Sequence, residues 1–279
     1  MSDSALAPGF IRDLEEAEAM ALADMGRAAG SDLAEALGVA VQQVPGRVAL
    51  RAASADVLAL NRILVTDLDS ALHDSALEYA IAWYRDAGVR RFFVQLGPVA
   101  GAGDLRQRLE AYGLTHYNNW TRLYRGVEAY PDVQTDLRIE QIGTEQATLF
   151  AEVATTAFGM PEAVRPWLAA AVGRSGWGHY LALDADTPVA AAALHVQGKI
   201  GWMGFASTNA SHRRRGAQSA LIGRRIADAR AQGCRWLSVE TAEDLPERPA
   251  PSLHNLRRFG FQVAYTRPNY LWASPALAA

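Results

Sequence analysis

Residues His212 to Leu221 read HRRRGAQSAL. The preceding stretch, Gly201 to Thr208 (GWMGFAST), reads as a strand. The following one, Gly216 to Gln232, reads as a helix, with Ile222, Ile226 and Ala229 at helical spacing. Three arginines and a glycine therefore sit where a strand hands over to a helix. The first turn of a helix has unpaired N–H groups and the positive end of the dipole, so it suits an anion such as phosphate. Gly216 carries no Cβ to block a close backbone approach. Arg213, Arg214 and Arg215 add charge that matches several phosphates. The competing reading is a basic helix start that simply faces water.

Composition narrows the setting. The chain has 279 residues, 50% hydrophobic and 20% charged, with a net charge of −3. That is globular, and at about 150 residues per domain it implies two domains. The mild acidity argues against a broad nucleic-acid footprint, so the arginine run is a local feature. Cys234 is the only cysteine, which excludes an internal disulfide and a cysteine-rich metal site. No apolar run reaches the about 18 residues of a membrane span, and the first residues, MSDSALAPGF, lack a signal-peptide pattern. A cytoplasmic protein, with no membrane, metal or nucleic-acid partner, is the expectation.

In chain order, Ile11 to Ala28 is an acidic, alanine-rich helix and Asp32 to Leu37 a second, stopped at Gly38. Arg47–Ala53 and Val57–Val65 read as strands, Ser75–Ala87 as a helix, and Arg91–Leu96 as a strand. After the Gly97–Gly103 loop, Asp104 is placed to cap a helix over Leu105–Tyr112. A strand then runs to about Tyr124. Tyr130–Asp136 (YPDVQTD) reads as a linker. Beyond it come the strand Leu137–Ile142, a helix capped by Thr144 to about Ala157, and a helix over Glu162–Val172. Strands at Tyr180–Leu183, Val189–Val196 and Gly201–Thr208 are joined by hairpin turns. After the arginine loop and its helix come the strand Arg235–Thr241, the helix Ser252–Phe259, and last strands over Phe261–Trp272.

The two halves match. At an offset of 145, Leu77, Ile81, Gly88 and Val94 fall on Ile222, Ile226, Gly233 and Val239. At 147, Leu109, Tyr112 and Gly113 fall on Leu256, Phe259 and Gly260. Both halves thus read as helix, strand, loop, helix, Gly, strand, two copies of one fold. The first copy has Leu68, Asp69, Ser70, Ala71, Leu72 and His73 opposite Arg213–Gln218. Asp69 would repel phosphate.

The second half resembles the GNAT superfamily of acyl-CoA-dependent N-acyltransferases. The family loop, Arg/Gln-x-x-Gly-x-Gly/Ala, is matched by Arg213 and Gly216, with Gln218 in place of the last small residue. A short helix ending in Gly-Phe is matched by SLHNLRRFGF, ending in Gly260 and Phe261. The resemblance covers Leu137–Trp272 well and extends weakly to the first half, as in tandem GNAT proteins. It implies an α/β fold of two tandem GNAT-like domains, 1–130 and 137–279, the first a degenerate copy without a phosphate loop. Each is expected to be a mixed, mostly antiparallel sheet flanked by helices.

The resemblance further implies an N-acetyltransferase that uses acetyl-CoA as co-substrate. Backbone groups of Ala206, Ser207 and Thr208 would hold the pantetheine arm. The N–H groups of Arg214, Arg215, Gly216, Ala217, Gln218 and Ser219 would hold the pyrophosphate, and Arg213 or Arg214 the 3′-phosphate. Ser252 and Asn255 would face the arm from the other side. Glu240, at a strand end, is the candidate base. The family's acidic tyrosine falls near Leu256 here, so Tyr265, a few residues on, is the candidate acid. The acceptor would be an amine of a small molecule or a protein, and the chain a monomer or homodimer. A non-catalytic CoA-binding or regulatory module is the alternative.

Overall fold

A computed structural model describes residues 6–66, 74–98 and 102–275. The Leu68–His73 stretch set against the arginine loop lies outside the described residues, as do residues 99–101 of the Gly97–Gly103 loop. The chain divides into two compact units, Met1–Trp120 with Ala264–Ala279, and Thr121–Val263. The division thus falls inside strands instead of at Tyr130–Asp136, and the chain's last strand is counted with the first unit. Among the described residues no helix is long and apolar enough to cross a membrane.

In the first unit, α1 (Pro8–Arg27) and α2 (Gly30–Leu37) precede β1 (Val39–Val44), β2 (Arg47–Ala52) and β3 (Arg62–Val65). Gly38 ends α2 at φ +63, where a Cβ would lie 2.7 Å from that of Ala53. Then come α3 (Asp74–Arg85), β4 (Arg91–Leu96), α4 (Ala102–Ala111) and β5 (Thr115–Gly126). β1, β2 and β3 pair antiparallel, and β3 pairs parallel with β4. On its other edge β4 pairs antiparallel with the chain's last strand, β11 (Gln262–Ala273), from Asn269↔Gln95 to Ala273↔Arg91. That pairing is why the C-terminal strand belongs here. One sheet face buries Leu77, Tyr84, Phe92, Leu109 and Trp272. Tyr84, Phe92 and Trp272 stack in series, at 4.1 and 5.3 Å between ring centroids.

The α1 face carries charge instead. Glu15 and Glu18 of this acidic helix are buried. Arg267 meets Glu15 at 2.7 Å and Glu18 at 2.9 Å, and Arg62 meets Glu18 at 3.0 Å. Arg62 also donates to Gln95, which donates to Asn269. Buried charges survive only when paired and hydrogen-bonded in this way.

In the second unit, β6 (Arg138–Ile142), β7 (Trp177–Asp184), β8 (Thr187–Gln197) and β9 (Ile200–Thr208) form antiparallel neighbours. β9 pairs parallel with β10 (Trp236–Ala242). Residues from Thr121 onward in β5 lie on the far edge of β10, with Tyr124 against Trp236. Helix α7 (Ala217–Ala231) buries Leu221, Ile222, Ile226 and Ala229 against Leu194, Met203 and Leu237. α8 (Pro251–Arg258) adds Leu253 and Leu256 to that core. The opposite face is covered by α5 (Ala147–Phe158) and α6 (Arg165–Ala170), burying Phe150 and Trp167. The alanine run Ala190–Ala193 in β8 is fully buried, its small side chains admitting helices on both faces.

Several expectations change. β1 adds a strand to those expected, half buried over VAVQQV. Val57–Asn61 is a turn and not strand, because the Asn61 side chain binds backbone groups of Ala52, Ala55 and Val57. Thr144 opens a 3-10 turn and makes no capping bond. α4 starts at Ala102, so Asp104 lies inside it and not at its cap. The Glu162–Val172 helix divides into a 3-10 turn and the shorter α6.

Two measurements follow. Trp272→Ala should cost about 3–5 kcal/mol of first-unit stability in chemical denaturation, with faster amide exchange in Phe92–Val94; exchange unchanged there would contradict the β4–β11 pairing. His179, packed between Phe150 and Trp177, has its pKa lowered to about 4 by burial. Its imidazole is neutral in the fold and takes up a proton first in the unfolded chain. Stability is therefore complete above the free histidine value of 6.5 and falls from there towards pH 4, by roughly 3 kcal/mol. His179→Phe should flatten that limb in urea titrations.

Candidate functional site

The parallel pairing of β9 with β10 runs from Ile200↔Trp236 to Met203↔Val239. Past that point β9 continues through Gly204–Thr208 with β8 alone beside it. Opposite Ala192 the register shifts, and Phe205 takes φ +52. This bulge bends β9 away and opens its edge. The backbone groups on that edge face a cleft of about 1230 Å³.

The cleft is lined by Ala206, Ser207 and Thr208 from β9, and by His212, Arg213 and Arg214 from the loop. Gly216, Ala217, Gln218 and Ser219 follow from the start of α7, and Ser252, His254, Asn255 and Arg258 from α8. Pro131–Gln134, Ala157 and Phe158 also line it. The first bond of the α7 ladder runs from Ala220 N–H to the Gly216 carbonyl. The N–H groups of Ala217, Gln218 and Ser219 thus precede the ladder, at the positive end of the dipole. Arg213 and Arg214 are exposed at the same place. Ser207 Oγ is buried without a hydrogen-bond partner, a polar atom in the wall of the cleft that a bound ligand would satisfy.

The loop is held from behind. Arg215 does not line the cleft. Its guanidinium pairs with Asp184 at 2.5 Å and with Asp136. Those bonds hold both carboxyls below the usual range and raise the Arg215 pKa. Thr135 Oγ1 donates to the Arg215 carbonyl at 2.7 Å. The Gly216 backbone, at φ +83, lies so close to this segment that a Cβ would sit 2.9 Å from the Gln134 carbonyl oxygen. Gly216 is therefore required by its own chain segment. The Tyr130–Asp136 stretch, read as a linker, is a wall of the cleft and the backing of the arginine loop.

Neither candidate catalytic residue is among the cleft-lining residues. Glu240 is the first β10 residue past the last β9 pair, with Arg122 Nη2 at 3.8 Å from its carboxylate. It is near the opened end and not among the cleft-lining residues. Tyr265 falls in the first unit, where its hydroxyl donates to Glu15. The Leu256 position, where the family tyrosine would fall, is buried in the core. His212, His254, Arg258 and Phe158 line the cleft without having been assigned there. Arg258 and His254 share a helix face with Asn255, a spacing visible in the sequence once α8 is known to border the cleft. Trp167 is fully buried. Among the described residues there is no group of three or more His, Cys, Asp or Glu able to hold a metal.

The parallel pair of this mixed α/β sheet thus parts beside a basic helix N-terminus, with Arg213 and Arg214 lining the same cleft. Residues 145–261 match the model of the Acetyltransferase (GNAT) family. The chain is similar in fold to a GCN5-related N-acetyltransferase from Kribbella flavida, with a TM-score of 0.60 and 19% identity, covering 91% of this chain and 97% of that one. It is similar to one from Sphaerobacter thermophilus, with a TM-score of 0.57 and 16% identity over 96% and 94%. A tandem GNAT protein from the clavulanic acid biosynthesis pathway gives 0.53 and 14%, over 76% and 74%. At these identities the likeness is one of fold. No curated protein matches the sequence significantly.

Gly216→Ala should lower stability by about 2 kcal/mol, from the left-handed backbone and the approach to Gln134. Thermal denaturation checks it, and an unchanged midpoint would contradict the close packing of that segment on the loop.

Proposed function

We propose that the second half of the chain transfers an acetyl group from acetyl-CoA to an amine of a small molecule or a protein. The observation that carries this reading is the opened β9 edge running into the N-terminus of α7 beside Arg213 and Arg214. An extended ligand with an amide-bearing arm and a phosphate end fits that order of groups. Backbone groups of Ala206–Thr208 would bind the arm as an added strand, and Ser207 Oγ would gain its partner. The N–H groups of Ala217–Ser219 would hold the pyrophosphate, with Arg213 and Arg214 on the remaining phosphate.

When bound, the thioester supplies an activated acyl carbon and a thiolate leaving group. Glu240, past the end of the β9–β10 pairing, is the carboxylate to receive the proton of the attacking amine, through water. Arg122 orients that carboxylate. Tyr265 is engaged with Glu15 in the other unit, so no tyrosine is assigned to the leaving thiol. A thiol of ordinary pKa leaves into the open cleft without a dedicated acid.

The position of Tyr265, with a buried leucine where the family acid would fall, favours a second reading: a GNAT-like module that binds CoA without turnover. Release of free CoA in the presence of an amine panel would exclude it.

Acetyl-CoA at a hundred times its Kd should stabilise the protein by about 2.7 kcal/mol, read as a thermal shift that ATP and NAD do not produce. Arg213→Glu with Arg214→Glu should weaken acetyl-CoA at least about tenfold. A protein that responds equally to ATP, or to neither, would contradict the assignment. Glu240→Gln should lower kcat about a hundredfold with little change in the KM for acetyl-CoA.

A further inference from the structure

Gln218 occupies the loop position where the GNAT pattern has a small residue, and both ends of its amide are engaged. Its Nε2 donates to Ser252 Oγ at 3.1 Å. Its Oε1 accepts from Asn255 Nδ2 at 2.5 Å. All three side chains line the cleft. The first turn of α7 is thereby tied to α8 through one side chain. A serine hydroxyl has a single hydrogen and two lone pairs. Because Ser252 Oγ accepts from Gln218, its own hydrogen is left to donate. The bonds run one way, from Asn255 to Gln218 to Ser252, and each donation polarises the next group.

We propose that Gln218 is a positioning residue that makes Ser252 a hydrogen-bond donor towards the acyl-CoA arm, so that this wall selects an oxygen acceptor on the arm. The inference rests on the acyl-CoA reading of the cleft. A glycine or alanine at this position would leave Ser252 free to turn either way. With Gln218 the direction is set before the ligand arrives, and the rotor is already fixed when it binds.

The rival role is a mechanical clamp between α7 and α8. Gln218→Glu separates the two. A carboxylate still accepts from Asn255 and also accepts from Ser252, so both links persist while the serine hydrogen turns away from the cleft. Calorimetric titration with acetyl-CoA would compare the wild type, Gln218→Glu, Ser252→Ala and the double variant. Each single substitution should weaken binding about tenfold, and the double variant no further than about tenfold, because both remove one donated bond. Wild-type affinity in Gln218→Glu would reduce the residue to a clamp and overturn the proposal. Losses that multiply to about a hundredfold in the double variant would overturn it too, showing that the new carboxylate repels the ligand without involving Ser252. A wild-type protein that does not bind acetyl-CoA would remove the ligand assignment itself, and this inference with it. Binding that is intact in the wild type and in both Gln218 variants would remove this inference alone.

Discussion

Four residue pairs join β9 to β10, from Ile200–Trp236 to Met203–Val239, and then the pairing stops. A parallel pair inside a sheet is normally buried on both faces and continuous. Here the bulge at Phe205 bends β9, and Gly204–Thr208 keep only β8 as a neighbour. A row of backbone donors and acceptors is left facing the cleft. Such a row is costly unless something satisfies it. The rest of the second unit is arranged around that opening: α7 starts at its far end, α8 borders it, and Glu240 follows directly on the last pair.

The loop that completes the opening has two separate supports. Gly216, with its positive φ, turns the chain into α7, and the Gln134–Thr135 segment packs against it too closely for a side chain. Arg215 faces away from the cleft, bridging Asp184 and Asp136. Of three consecutive arginines, two line the cleft and one is paired within the fold. Arg214, the middle one, takes a left-handed backbone at φ +65. An exposed ion pair contributes little stability, so the service of Arg215 is mainly geometric. It fixes which way its neighbours point.

The two units use similar parts differently. Each has a parallel strand pair, β3–β4 and β9–β10, with an amphipathic helix between the paired strands. In the first unit all four residues of β3 pair with β4. The sheet face under α1 is filled by Glu15, Glu18, Arg62, Gln95 and Arg267, paired with one another. Those ion pairs tie α1 to β3 and β11. Tyr265 belongs to that network, its hydroxyl donating to Glu15.

Local chemistry let the sequence by itself determine much of this protein. Helical phase gave Ile222, Ile226 and Ala229 of α7, glycines gave the helix stops, and β4 was read residue for residue, because such signals act within a few neighbours. The basic loop and Gly216 were legible for the same reason, and Ser252 and Asn255 through the family resemblance; Arg213, Arg214, Gly216, Ser252 and Asn255 do line one cleft. Only the tertiary structure decided the rest. Which strand borders β4, which arginine turns inward, what Tyr265 binds and what Gln218 holds all depend on groups distant in the chain, and in the case of Tyr265 and Glu15 about 250 residues apart. Side-chain direction in a strand changes with each residue, and a long polar side chain takes its partner from whatever packing brings within reach. Neither is written in the local pattern.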